Sequence, residues 1–430
     1  MPEDRTDASK IVGSAEVRCT CLLAALVDRP SLSPENSYGA GRLVWSSRRH
    51  CVHDPGFSSE SMSELFGPLG RIGAWLEVEA VMAESQADVG LIPESSAEVI
   101  AATCRGLEVD AEDLLAKGWD QGTPMLPLLD LIRGQLPEDE HPYLHLDSTT
   151  QDIVDTALIW RAAQGIAMLG DAIEEVGMVC AVLADQHRST WMTGRTFLQA
   201  AQPTSFGARA AIWLDALTGR RASLAGVRGE LRVQLGGPVG LGTGMGGKTR
   251  EVASLMAERL GLTSSVIPWQ SDREPIVALG TSVASLARAV EKVASDLIVL
   301  AQTEVAEVRM RPGGSSAMLH KRNPVDATWA LTAPRVAASA AAGLLTSSPP
   351  RLEREGGAWM AEWHFISEIF GATHVSLRAL HAALSGIEVD KKRMEANLDS
   401  ALGAVRPDQG EVSRLIDSAV AAFEAKRPSA

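Results

Sequence analysis

Two long apolar seams constrain what this chain can fold into more than any other feature. Ile159, Ala162, Ile166, Leu169, Ile173, Val176, Cys180 and Leu183 step by alternating threes and fours. Leu279, Val283, Leu286, Val290, Val293, Leu297 and Leu300 do the same over about six helical turns. Such steps keep a residue on one face of an α-helix, and seams this regular specify long helices packed in a bundle or coiled coil. A third helical stretch is predicted around residues 208–233. Strand-like alternation is scarce throughout. The expected fold class is therefore all-α, with a central long-helix bundle whose outer faces pack against other subunits.

The rest of the chain divides around that bundle. From Met62 the pattern turns helical: Trp75, Val78, Val81 and Met82 share a face, with Glu77, Glu79 and Glu84 interspersed, until Gly90-Leu91-Ile92-Pro93 stops it. A second helical pair is predicted to run to about Lys117, with Gly118 stopping it before the turn at Gly122-Thr123-Pro124. Three helical domains follow an N-terminal arm: arm 1–55, N-terminal domain 56–126, central bundle 127–370 and small C-terminal domain 371–430. Within the arm, His50, Cys51 and His53 find no second ligand cluster at zinc-like spacing, so a solvated arm is expected rather than half a metal site.

Bulk properties exclude whole classes of function. A formal net charge of −14 argues against nucleic acid or an anionic membrane surface as the main partner. The 5 cysteines are odd in number and scattered, which excludes a disulfide scaffold. The polar start carries no apolar signal region, and no apolar run approaches a membrane span. A soluble, cytoplasmic protein is expected.

The chemistry is concentrated in Gly313-Gly314-Ser315-Ser316-Ala317-Met318-Leu319-His320-Lys321-Arg322-Asn323-Pro324. Two glycines free the backbone to swing and reach positive φ, and Pro324 marks the end of the loop. Such a loop can close on a small anion, presenting a serine as base or nucleophile while Lys321, Asn323 and backbone N–H groups face developing negative charge. On composition alone a polar glycine-rich connector explains the run equally well. The run resembles the GSSxMPxKxNP signature of the fumarase/aspartase superfamily, with Leu319 where that pattern has Pro. That resemblance implies Ser315 as general base, with Ser316, Lys321 and Asn323 holding a substrate carboxylate. It further implies a small dicarboxylate substrate, no cofactor and no metal, and a homotetramer with a twenty-helix core whose sites are shared between subunits.

Other segments extend the resemblance toward the branch containing 3-carboxymuconate cycloisomerase and adenylosuccinate lyase. "RIGAWLEVEAVMAESQADVGLIP" is similar to that branch's first domain, and "RLEREGGAWMAEWHF" to its "ERGxGGWQAEW" stretch, in which Trp359 and Trp363 read as packing anchors. His145-Leu146-Asp147-Ser148-Thr149-Thr150-Gln151-Asp152 opens the first long helix, where hydroxyls and backbone N–H groups make an anion pocket. Plain capping needs one hydroxyl, and three stand here. The run resembles "HxGATSQD", which implies that Thr149 and Thr150 grip a carboxylate beside Gln151, with Asp147 replacing a Gly. His141 and His145 have H-x3-H spacing, but Pro142 breaks a helical metal face.

Gly242-Thr243-Gly244-Met245-Gly246-Gly247-Lys248-Thr249 fits the phosphate-binding pattern GxxxxGK[ST], which requires a preceding buried strand. "LRVQLGGPVG" does not read as one. Gln234, Gly236, Gly237 and Gly240 instead match the superfamily's "QxGGAxGT" loop, so a nucleotide site is rejected. Gly194-Arg195-Thr196-Phe197-Leu198-Gln199-Ala200-Ala201-Gln202-Pro203 corresponds to the region that supplies the proton-donating histidine. Phe197 stands at that position relative to "THxQPxQ", and Ala200 relative to "RTxLQHAxP". Pro124 and Met125 follow Thr123 where a further family histidine belongs. Arg195 and Gln199 remain as expected substrate contacts. Arg273 in "PWQSDRE" is either a further contact or a surface residue.

An amine or hydroxide leaving group needs a proton, typically from His. A chain without that His suits a group that departs as a stable anion, and nitrite is one. Elimination of nitrite from nitrosuccinate, giving fumarate, is therefore the expected reaction, with Arg195 suited to the planar nitro oxygens. The alternatives are carboxymuconate cycloisomerisation and a superfamily member without catalysis, the latter opposed by intact Ser315, Lys321 and Asn323.

Overall fold

The computed structural model describes residues 54–314, 316–318, 321–347 and 350–426. The histidine and cysteine cluster at residues 50–53 lies outside them. Helix α1 (Glu60–Phe66) begins at Ser59, whose hydroxyl accepts from the Met62 N–H at 3.2 Å. Next come α2 (Pro68–Asp88), α3 (Glu94–Gly106), α4 (Ala111–Gln121) and α5 (Met125–Arg133). As expected, Trp75, Val78, Val81 and Met82 are buried on α2. Gly118, by contrast, does not end its helix. A Cβ there would lie 2.5 Å from the Pro124 Cα, so Gly118 is a packing glycine inside α4. The stop comes at Gly122, whose φ of 77° only glycine adopts cheaply.

The two seams form the expected long helices, α6 (Thr150–Gln186) and, further on, α9 (Glu274–Ala301), with every seam residue buried. Between them lie a hairpin of β1 (Trp191–Thr196) and β2 (Gln199–Ser205), then α7 (Phe206–Gly229) and α8 (Thr249–Leu260). After α9 the short strands β3 (Val308–Arg309), β4 (Pro312–Gly313) and β5 (Asn323–Pro324) lead to α10 (Val325–Thr346) and α11 (Gly356–Ser385). Strand β6 (Glu388–Val389), α12 (Lys391–Leu402) and α13 (Gln409–Glu424) complete the described chain. The structure is mostly helical, and its strands form three two-stranded antiparallel pairs among the described residues. The expected domain boundaries at 126 and 370 fall inside α5 and α11.

Two apolar cores position everything else. The larger joins α6, α7, α9, α10 and α11 to Ile416 and Phe423 of α13. The smaller joins α2 to α5 with Ile153, Val154 and Ala157 of α6 and the apolar face of α8. Close packing makes small residues obligatory at some crossings. A Cβ at Gly177 of α6 would sit 2.4 Å from the Phe423 ring. Gly177→Ala is expected to destabilise the protein by about 1–3 kcal/mol through overpacking, read as a lower midpoint in urea unfolding.

No described helix is long and apolar enough to cross a membrane.

Candidate active site

The first long helix begins in a dense hydrogen-bond network. Thr149 caps it, and its N–H donates to Asp152 Oδ2 at 3.1 Å. Asp152 also accepts from the N–H groups of Gly236 and Gly237, both at 2.9 Å, and from Gln234 Nε2 at 3.1 Å. Burial pushes its carboxyl up to about 6, opposed by these four donors. The helix start is thereby tied to the loop that carries Gln234, Gly236, Gly237 and Gly240, where Gly237 and Gly240 adopt positive φ. Lys248, of the rejected nucleotide pattern, donates to the Val89 carbonyl at 2.5 Å, and the loop before it is no buried strand.

Thr150 is half-buried, the first helical residue after Thr149. Gln151 is buried and fully engaged. Its Nε2 donates to Asp155 Oδ2 at 3.0 Å and to the Gln270 carbonyl at 2.8 Å, while its Oε1 accepts from Arg354 Nε at 2.8 Å. In this arrangement Gln151 positions an arginine rather than presenting its own amide. Arg354 Nη2 reaches Thr149 Oγ1 and the Pro238 carbonyl, each at 3.3 Å. Arg354 stands in the stretch "RLEREGGAWMAEWHF", where an arginine with one residue between it and a glycine pair is the only local signal of this role.

Next to this network lies a buried ionic cluster. Arg273 donates to Asp155 at 2.6 and 3.0 Å and to Glu362 at 2.6 Å, and Trp359 Nε1 donates to Asp155 Oδ1 at 2.8 Å. Arg273 is therefore not a surface residue. Its two carboxylate partners outweigh burial and hold its guanidinium above the usual arginine value, while burial raises Glu362. Trp359 is the expected packing anchor, crossing Trp363 edge to face at 5.1 Å, and a hydrogen-bond donor as well.

The remaining expected residues lie elsewhere. Arg195 forms a two-pronged ion pair with the buried Glu307, at 2.7 and 3.1 Å, and Asn397 Nδ2 donates to the same carboxylate at 2.9 Å. Its fork binds the hairpin to the strand and helix beside it, contrary to the expectation that it awaits nitro oxygens. Gln199 is exposed at the start of β2, paired across the ladder with Thr196. Between them, Phe197 and Leu198 form the turn at φ of 49° and 61°, 100% and 70% exposed. Bulky residues rarely adopt left-handed φ, and here two do so in succession with their apolar side chains exposed.

The loop after β4 is closed at its neck. Pro312 pairs with Pro324 and Gly313 with Asn323, and Asn323 Nδ2 donates to the Gly314 carbonyl at 2.9 Å. Lys321 N–H donates to the Met318 carbonyl at 3.1 Å, and Arg311 Nη2 pairs with Asp326 at 2.5 Å. Ser316 and Lys321 are exposed. Ser315 lies outside the described residues. Neither Gly313 nor Gly314 takes a positive φ. What Gly313 supplies is room, because a Cβ there would lie 1.9 Å from Val325 Cγ2.

These pieces gather at two ends of the helical bundle. Helix α6 has 37 residues, about 55 Å of rise. Thr149, Thr150, Gln151 and Arg354 stand at its start; the hairpin follows its end. Helix α9 runs the same way, from Arg273 beside Asp155 to the residues before Glu307 beside Arg195. Strand β4, with β5 paired to it, follows soon after β3, at the hairpin's end of the bundle.

The sequence profile of a lyase family matches residues 58–336. The chain belongs to the fumarase/aspartase superfamily. Among its relatives, the 3-carboxy-cis,cis-muconate cycloisomerase of Pseudomonas aeruginosa is 32% identical over 363 residues, 82% of this chain and 79% of that protein. The nitrosuccinate lyase of Streptomyces davaonensis is 34% identical over 353 residues, 78% of this chain and 74% of that one. The crystal structure of the 3-carboxy-cis,cis-muconate lactonizing enzyme of Pseudomonas putida superposes with a TM-score of 0.77 at 30% identity, covering 87% of this chain and 88% of that one. This superfamily lyase is thus an enzyme by descent, and its fold agrees with the all-α expectation.

Proposed function

We propose that this superfamily lyase eliminates nitrite from nitrosuccinate to give fumarate. The observation that carries the reading is Phe197 and Ala200 in the hairpin where the branch has a proton-donating histidine. A leaving group that needs no proton fits a hairpin that offers none. Similarity to a nitrosuccinate lyase supports the same reading. In it, Ser315 removes the proton beside one carboxylate, the C–N bond breaks, and that carboxylate becomes more negative as the carbon loses its proton. Lys321, Asn323, Ser316 and the Thr149–Thr150 pair stabilise that charge, worth most in a site closed to water.

About 55 Å of helix separates the threonine pocket from the loop, so one protomer does not bring them to the same small substrate. The site is therefore read as shared between copies in a homotetramer, with the exposed Phe197 and Leu198 covered by a neighbour. The enzyme incubated with nitrosuccinate is expected to release nitrite and fumarate in equal amounts. Nitrite no faster than the uncatalysed rate rules the substrate out. Cycloisomerisation is the second reading, favoured by relatives such as the Pseudomonas aeruginosa enzyme, and lactone formed from carboxymuconate would establish it.

A further inference from the structure

We propose that His145, oriented by Glu79, is the hydrogen-bond donor that faces the departing group. The inference rests on the β-elimination reading but not on the identity of the leaving group. His145 Nδ1 lies 2.6 Å from Glu79 Oε1, and the Glu79 side chain is wholly buried on α2. The ring itself retains 14% exposure, and its Nε2 has no partner among the described residues. A carboxylate behind one ring nitrogen and a free second nitrogen is the arrangement that fixes an imidazole for work at Nε2.

The surrounding backbone is held at a cost. His145 and Asp147 both adopt left-handed φ, 59° and 54°, within three positions. The turn is closed by Ser148, whose N–H and hydroxyl both donate to the His145 carbonyl, at 3.4 and 3.1 Å. Asp147 packs against Gly244, where any Cβ would fall 2.7 Å from the Asp147 side chain. Strain of this kind persists where the surroundings enforce it, commonly at sites. Here it places His145 four residues before Thr149, within roughly 14 Å of the threonine pocket by chain length alone.

The charged groups around the ring favour a protonated imidazole. Glu79 on α2 and Asp152 on α6 raise it; burial and Arg133 on α5 oppose them, and the balance lies above the usual histidine value. The other described histidines offer no equivalent. His141 Nε2 bonds to the carbonyls of Arg133 and Leu136, and His187 pairs with the Thr190 hydroxyl at 3.0 Å and is lowered by burial. Burial takes His374 down to about 4, the His364–Glu368 pair is exposed on α11, and His381 meets only the Ser385 hydroxyl at the surface.

The step balances without a co-reactant. The base takes the C–H proton, that bond's electrons form the C=C bond, and the C–X pair leaves with X. When X is nitrite it departs as an anion accepting from Nε2–H. When X is a thiolate or amine, the Nε2 proton passes to it and the imidazole is left neutral. The hairpin's missing histidine and this ring are therefore compatible.

The test uses histidine ¹⁵N NMR on the whole enzyme, with the His145 signal assigned by its loss in His145→Asn. With fumarate bound, His145 is expected to stay protonated above pH 6.5, and nitrite is expected to shift its Nε2 resonance. Nitrite affinity should fall about tenfold or more in His145→Asn, which keeps a donor to Glu79 while losing the charge. A neutral ring at pH 6.5, or a resonance blind to nitrite, thiols and amines alike, overturns the proposal. A response to thiols or amines but not nitrite leaves it standing and removes nitrosuccinate as the substrate.

Discussion

Ser315→Ala is expected to lower kcat on the true substrate by about 10²- to 10⁴-fold, the range a positioned base contributes. The carbon acid beside a carboxylate is weak, so abstraction needs both a base and stabilisation of the resulting charge. The substitution removes the first and leaves the second. Fumarate should therefore still bind with nearly wild-type affinity, because the Thr149–Thr150 pocket, Lys321 and Asn323 are untouched. A variant with wild-type turnover would overturn the assignment of Ser315, although the family membership would stand. Gly313→Ala is expected to share the loss by another route. It drives a methyl into Val325, 1.9 Å away, and opens the neck that pairs Pro312 with Pro324. Its signature is lost activity with little change in global unfolding.

Removing Asp155 is expected to be the most destabilising single change. Asp155 is wholly buried and accepts from Arg273, from Trp359 Nε1 and from Gln151 Nε2. Asp155→Ala leaves the Arg273 guanidinium with Glu362 as its one remaining acidic partner, orphans the Trp359 indole N–H and leaves Gln151 Nε2 with only the Gln270 carbonyl. Breaking a buried pair this way costs about 3–5 kcal/mol. The cost should appear as a lower midpoint in urea unfolding, and Asp155→Asn, which keeps one acceptor oxygen, should lose less. Because Gln151 holds Arg354 against Thr149, Asp155→Asn should also raise KM more than it lowers kcat. An alanine variant as stable as wild type would show that the cluster is not what secures the α6 start.

Much of the architecture was legible because it is periodic. The seams of α6 and α9 repeat at helical spacing over many turns, and both helices formed along them. Gly118 misled because glycine serves two ends: it stops helices, and it lets one element approach another. The packing of Gly118 on Pro124 is a contact a local pattern does not carry. The hairpin escaped notice because its turn is Phe197-Leu198, two residues with no turn chemistry. The candidate site divides in the same way. Its motifs are contiguous runs and were readable, whereas the partners that position them lie far off in sequence. Glu307 meets Arg195 across 112 positions, Arg354 meets Gln151 across 203, and Glu79 meets His145 across 66. No spacing rule links such pairs, and only the fold brings them together.

The central claim is that a carboxylate pocket at the start of α6 and the loop of Ser315 meet in one site although one protomer holds them at opposite ends. Subunit mixing tests this most directly. Two inactive variants, Thr149→Val/Thr150→Val and Ser315→Ala, are unfolded together, refolded as hybrids and assayed for fumarate formation. Hybrids that regain turnover absent from either parent are the predicted result, since some shared sites then draw an intact pocket and an intact loop from different protomers. Hybrids as inactive as their parents, in a confirmed mixed oligomer, would contradict it.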